Sequence, residues 1–149
     1  MARQLVTGSR NAVGSTQGTG SLDSDNTSVQ VQIGSDNKNY VAQNGSNNLA
    51  VTQQVPTAEL ALLGLGSSGG SPLLDALASG AFGSADNNSI LLEQNGSDNE
   101  ANLTQVGSDH EMALRQVGSS SITITQLGAG KIIAVEQPFG SQGIQILQY

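Results

Sequence analysis

Nine carboxamides in this chain keep a regular spacing. Gln32, Gln43 and Gln54 stand eleven residues apart, as do Gln94, Gln105 and Gln116, and then Gln126, Gln137 and Gln148. A primary amide carries two N–H donors and an acceptor oxygen. Copies of it brought into a row can therefore bond one to the next. That chemistry is self-recognition and not bond making. Asn37, Asn48, Asn88 and Asn99 each stand six residues before one of these glutamines and offer the same groups.

Other reactive residue types form no comparable constellation. His110 is the only histidine and occupies the position where other units carry Asn. No second ligand type clusters beside it, so it reads as a substitution within the row and not as a metal ligand. Glu93, Glu100, Glu111 and Glu136 fall on alternate positions that point outward. Paired carboxylates can hydrolyse glycosides, but these are spread along solvent faces, where they oppose premature aggregation. Arg115 is expected to run in a charge row with Glu93 and Glu136, worth about 0–1 kcal/mol. Gly8, Gly14, Gly18 and Gly20 lack the strand, lysine and helix of a phosphate loop. Ser121, Thr123 and Thr125 point outward, but one such row is too little for ice binding. No nucleophile–base pair is present, and neither a cofactor nor catalysis is expected.

A short fixed period means a coil of chain stacked on itself. Between each Asn and its Gln, two alternate positions hold apolar or small residues, as in Asn99, Ala101, Leu103 and Gln105. Period-two alternation over about seven residues is a strand. Gly-Ser-Asp-Asn groups follow the glutamines and supply turn chemistry. Strand plus turn fills eleven residues, too few for a crossover helix. The predicted fold is all-β: a two-sheet β-solenoid of stacked ~22-residue coils, each strand pairing with its equivalent one coil away. About five coils would stand roughly 24 Å tall. Asn would lie over Asn and Gln over Gln at about 4.7–4.8 Å, as in cross-β ladders.

Four segments follow. Residues 1–25, rich in Gly, Ser and Thr, are expected to be irregular, although Asn11, Val13, Ser15 and Gln17 read as a degenerate first unit. Residues 26–54 form a first solenoid block, in which Val29 and Val31 fall on the outward phase. Residues 55–87 break the beat, since Gln54 and Gln94 are forty apart. Ser71-Pro72 starts and Gly80 stops a short helix there, and a weaker one spans Thr57 to Leu63. That insertion reads as short helices on the solenoid surface, as a device controlling assembly, or as degenerate strands such as ELALLGL. Residues 88–149 form a second block with one ten-residue step, Gln116 to Gln126.

Composition narrows the function. The chain has 149 residues, no Trp or Cys, two Phe and two Tyr. It lacks the aromatic bulk of an ordinary core, and zero Cys excludes disulfides and thiolate metal sites. A net charge of −7 with five Lys and Arg disfavours nucleic acid. No stretch is long and apolar enough to insert in a membrane as a helix. The opening MARQLVTGSR has no apolar h-region, which fits a mature form without its signal.

The run from Gln94 to Gln105, QNGSDNEANLTQ, resembles the repeat of the curlin family at every motif position, and residues 26–54 and 88–149 follow it in phase. The resemblance implies a secreted, extracellular functional amyloid of bacterial biofilm. Such a chain polymerises with itself and associates with other curlin subunits and with secretion or nucleation factors. Ending on Gln148-Tyr149 is similar to the major subunit, whereas KIIAVEQ and GIQILQ are more like the minor, nucleating one. The insertion departs from the family pattern. An alternative of another class is a monomeric solenoid that binds a surface or polysaccharide. Growth is expected at strand edges. Ile144, Ile146 and Gln148 would template on the first regular coil, beginning with Asn26 and Gln32, after the N-terminal segment is displaced.

Overall fold

The computed structural model describes residues 1–18, 25–56, 85–141 and 143–149. These residues form eleven strands and no helix: β1 Ala2–Thr7, β2 Ala12–Gln17, β3 Thr27–Ile33, β4 Lys38–Asn44, β5 Leu49–Val55, β6 Ser89–Asn95, β7 Glu100–Ser108, β8 Glu111–Val117, β9 Ser121–Ala129, β10 Ile132–Gln137 and β11 Ile144–Gln148. Odd strands make one sheet in the order β1-β3-β5-β7-β9-β11, here called sheet A, and even strands make sheet B in the order β10-β8-β6-β4-β2. All neighbours are parallel. The fold is the expected two-sheet β-solenoid. Each half-coil carries the chain from one sheet to the other.

Turn chemistry explains the compact corners. In Gly96-Ser97-Asp98-Asn99 the first residue has φ 117° and the third φ 59°. Gly takes such a φ without steric cost, and Asp is one of few residues that tolerate the left-handed region. At Gly107 the restriction is also steric, because an added Cβ would lie 1.8 Å from the Gly128 carbonyl oxygen in the next coil. Stacked corners leave no room for side chains there. The ten-residue step is a corner one residue shorter, Gly118-Ser119-Ser120. It changes the coil offset from 22 residues at β6–β8 to 21 at β7–β9 without shifting the register.

The interior is graded along the stack. Ile90, Leu92, Leu103, Met112, Leu114, Ile122 and Ile124 are buried between the sheets of the later coils, with Ile133, Val135, Ile144 and Ile146 packed on them. Early coils are polar inside: Ser28, Gln30 and Asn39 are fully buried. These amides bond across the interior, Gln30 Nε2 to the Gly14 carbonyl at 2.8 Å and Asn39 Nδ2 to Thr52 Oγ1 at 2.7 Å. A second apolar cluster joins Val31, Val55, Val106 and Leu127.

The expectation for the N-terminal segment is corrected, and Val31, placed on the outward phase, is buried in that second cluster. Residues 1–25, read as irregular, contain β1 and β2 as regular strands on β3 and β4. Their offset from those partners is 26 residues (Ala2 to Ser28, Ala12 to Lys38), four more than the 22 between β3 and β5. The extra residues hid the period. The helices expected within 55–87 fall in 57–84, outside the described residues. The insertion interrupts one corner only, because β5 still pairs β7 and β4 still pairs β6. No described helix is long and apolar enough to cross a membrane.

Candidate functional site: two amide ladders and their open ends

The glutamines fall into two buried rows. In sheet B, Gln17 Nε2 donates to Gln43 Oε1 at 3.0 Å, Gln43 to Gln94 at 2.9 Å, Gln94 to Gln116 at 2.9 Å and Gln116 to Gln137 at 3.1 Å. In sheet A the same bond runs Gln32 to Gln54 at 2.9 Å, then Gln54 to Gln105, Gln105 to Gln126 and Gln126 to Gln148, each at 3.0 Å. Every donor points toward the C-terminal end, so the rows have a direction. The second N–H also finds a partner: Gln54 Nε2 bonds the Lys38 carbonyl at 2.9 Å and Gln105 Nε2 the Ser89 carbonyl at 3.0 Å. These carbonyls belong to the opposite sheet, so the rows tie the sheets together as well as the coils. Hydrogen-bonded chains of this kind polarise one another.

The asparagines do related but different work. Asn37 Oδ1 accepts the backbone N–H of Asn88 at 2.9 Å, and Asn48 Oδ1 accepts that of Asn99 at 3.1 Å. Their Nδ2 groups bind corner carbonyls, Asn37 to Ala85 at 2.7 Å and Asn48 to Gly96 at 2.9 Å. Asn88 Nδ2 bonds the Gly107 carbonyl at 2.8 Å. Asn99 donates to Asn48 Oδ1 at 3.0 Å and accepts from Ser120 Oγ at 3.1 Å. Each Asn thus fixes the corner of its own coil to that of the next. At the N-terminal edge, Asn26 Oδ1 accepts the Asn48 N–H at 3.0 Å.

His110 takes the Asn role, as its spacing suggested. Its backbone N–H donates to Asn88 Oδ1 at 3.1 Å, and the Lys131 N–H donates to its Nδ1 at 3.2 Å. Nδ1 is then the acceptor, and Nε2–H donates to the Val106 carbonyl at 3.2 Å. Burial pushes the imidazole below its ordinary value, and Lys131 pushes the same way against the Val106 and Gly128 carbonyls and Asp109. The unfolded chain therefore takes up a proton first as pH falls. Stability is expected to decrease as pH drops through about 6.5 and to level off below the folded pKa. His110→Asn removes that component. Urea midpoints between pH 7 and pH 5 should fall more steeply for the native chain than for the variant, and parallel curves would refute the assignment.

On the outer face of sheet B, Arg115 Nη1 bonds Glu136 Oε1 at 2.8 Å and Arg115 Nε lies 3.8 Å from Glu93 Oε2. These side chains are 45–65% exposed, so the pairs contribute little. No group of three or more His, Cys, Asp or Glu able to hold a metal ion occurs among the described residues.

Both rows end at outer strand edges. The outer edges of β10 and β11 have no neighbouring strand among the described residues. Ile144, Ile146 and Gln148 are half-buried there, with Gln145 and Leu147 exposed. At the other end Gln32 Oε1 is buried without a hydrogen-bond partner. The sequence did not single out Gln17 as a ladder member, because it stands fifteen residues before Gln32 and not eleven. Its only sign was the degenerate unit from Asn11.

The family model described as the curlin associated repeat matches residues 85–118, the stretch that holds β6, β7 and β8 with their corners. Neither the curated proteins nor the solved structures contain a match.

Proposed function

We propose that this chain is a structural subunit that self-assembles by strand-edge stacking into extracellular, curli-like amyloid fibres of a bacterial biofilm matrix. The observation that carries the reading is the pair of directional glutamine rows ending at open parallel strand edges. An unpaired edge is a template for another chain, and a row of donors all pointing one way continues best into another copy of itself. The curlin repeat within residues 85–118 supports the same reading. Other curlin subunits, and factors that secrete or nucleate them, are the partners it implies. The aliphatic later coils suit a nucleating role, which seeding a curlin at low molar ratio would reveal.

Purified protein is expected to form thioflavin-positive filaments with a meridional reflection at about 4.7–4.8 Å. Copies carrying −7 repel each other. Growth should therefore speed up several-fold between about 10 mM and 150 mM salt, as the Debye length falls from about 30 Å to 8 Å. A chain that stays monomeric for days at high concentration would instead fit a surface-binding module.

A further inference from the structure

Two features of the N-terminal end do not belong to a finished stack. Gln32 Oε1 is buried without a partner, whereas Gln54, Gln105, Gln126 and Gln148 each accept from the preceding glutamine. The residue in register with Gln32 on β1 is Val6, which has no amide. In sheet B the first glutamine, Gln17, has its Oε1 bonded by the Met1 ammonium at 3.3 Å. That ammonium also bonds the Asn26 carbonyl. The segment that begins the chain therefore occupies one ladder acceptor and fails to fill the other.

Topology adds a third observation. Both end strands, β1 and β11, lie in sheet A. The chain alternates between sheets, so the strand that should follow β11 belongs to sheet B. A second copy beginning with β1 puts a sheet A strand there. A copy whose first stacked strand is β2 continues the alternation without a break.

We propose that β1 is a displaceable cap, standing where the β11 strand of a second copy of this chain binds. The inference rests on the self-assembly reading and adds which surfaces meet. β11 of one copy lies on β3 of the next, and β10 lies on β2. Ser28, Ala50, Ala101, Ile122 and Ile144 share one register column. The joint thus places Ile144 at Ser28, Ile146 at Gln30 and Gln148 at Gln32. Gln148 donates to the orphaned Gln32 oxygen, as Gln126 donates to Gln148 within the chain. Gln137 meets Gln17 where the Met1 ammonium had been.

The exchange is close to balanced, as a removable cap requires. One parallel strand replaces another on β3, so main-chain pairing is retained. Displacement gives up the Gln4 to Gln30 bond at 2.9 Å, the Met1 bonds to Gln17 and Asn26, and the Asn11 bond to the Thr7 carbonyl at 3.2 Å. It gains the sheet A ladder bond to Gln32 and covers the half-buried Ile144 and Ile146. β1 itself has all six residues exposed, so little apolar burial holds it in place.

The native chain has no cysteine, which allows a direct test in fibres of the full chain. Copies carrying Gln145→Cys are mixed with copies carrying Val29→Cys, assembled, and treated with a short bis-maleimide. These positions are neighbours only when β11 lies on β3, and a cross-linked dimer is expected. A second mixture, Leu147→Cys with Thr16→Cys, reports the retained cap, in which the next copy is turned half a revolution and β11 lies on β2. Cross-linking in the second mixture alone, or in neither while fibres form, overturns the cap and leaves self-assembly standing. Failure of the native chain to form fibres overturns both. Val6→Gln completes the sheet A row within one chain and pins β1. Elongation should slow about five-fold, the effect of roughly one net hydrogen bond, and elongation at the native rate or faster would contradict displacement.

Discussion

Gln105→Leu is expected to destabilise the fold by about 3–6 kcal/mol, because its side chain serves three buried groups at once. Gln105 accepts from Gln54 at 3.0 Å and donates to Gln126 at 3.0 Å and to the Ser89 carbonyl at 3.0 Å. Leucine has similar bulk and would suit the apolar core, so a packing argument alone predicts little change. The hydrogen-bond argument predicts a large one. Removing one partner leaves the others buried without compensation, each costing about 1–3 kcal/mol. Gln148→Leu makes the contrast, since Gln148 meets the ladder from one side, accepting from Gln126 at 3.0 Å, and is half-buried at an open edge. Its cost should be no more than about half as large. Denaturant melts of the two variants check this, and equal losses would show that the rows do not act cooperatively.

The beat of the glutamines made the fold legible because two constraints coincide in it. A buried amide needs its partner at one strand spacing, so the Gln must recur once per half-coil. The corner needs Gly and a residue tolerant of positive φ, so Gly-Ser-Asp-Asn recurs with it. All nine glutamines of the predicted rows lie in the ladders, and Asn37, Asn48, Asn88 and Asn99 brace the corners. What stayed hidden lacks one of those constraints. β1 has Val6 at the ladder position and only the Gly8-Ser9-Arg10-Asn11 corner to announce it. Gln17 keeps the amide, but four extra residues on the path to Gln32 remove it from phase.

The polar early interior was illegible for a different reason. Ser28, Gln30 and Asn39 alternate as a strand should, but Gln30 and Asn39 reach across the interior to the Gly14 carbonyl and Thr52. Periodicity along one strand carries no information about the facing sheet. The direction of the asparagine bonds was likewise beyond sequence. Stacked amides were expected to bond one another, and the structure instead turns Asn37 and Asn88 toward backbone groups of the next corner. This makes the corners, and not only the strands, part of the coil-to-coil contact.

A pair of prolines on the outer edge, Gln145→Pro with Leu147→Pro, is expected to reduce fibre growth at least ten-fold while leaving the monomer folded. Backbone groups along a strand alternate between its two neighbours. In sheet A, Thr27, Leu49 and Glu100 donate forward to the carbonyls of Asn48, Asn99 and Ser120, each at 2.8 Å. Ser28, one residue on, donates back to the Met1 carbonyl at 2.8 Å. Ile144 shares the register column of Ser28 and so turns its N–H back to β9. Gln145 and Leu147 then present theirs to the free edge. Proline at those two positions removes no bond within the chain, and edge strands tolerate it. It deletes two donors that an incoming strand needs and places ring atoms in its path. Both side chains are exposed, so the interior is untouched. Unchanged circular dichroism with lost elongation would place growth at the β11 edge. Elongation within two-fold of the native rate would move it to another surface. Ile146→Pro, whose N–H faces β9, should instead detach β11 from the monomer, so the three positions together separate an edge effect from a folding defect.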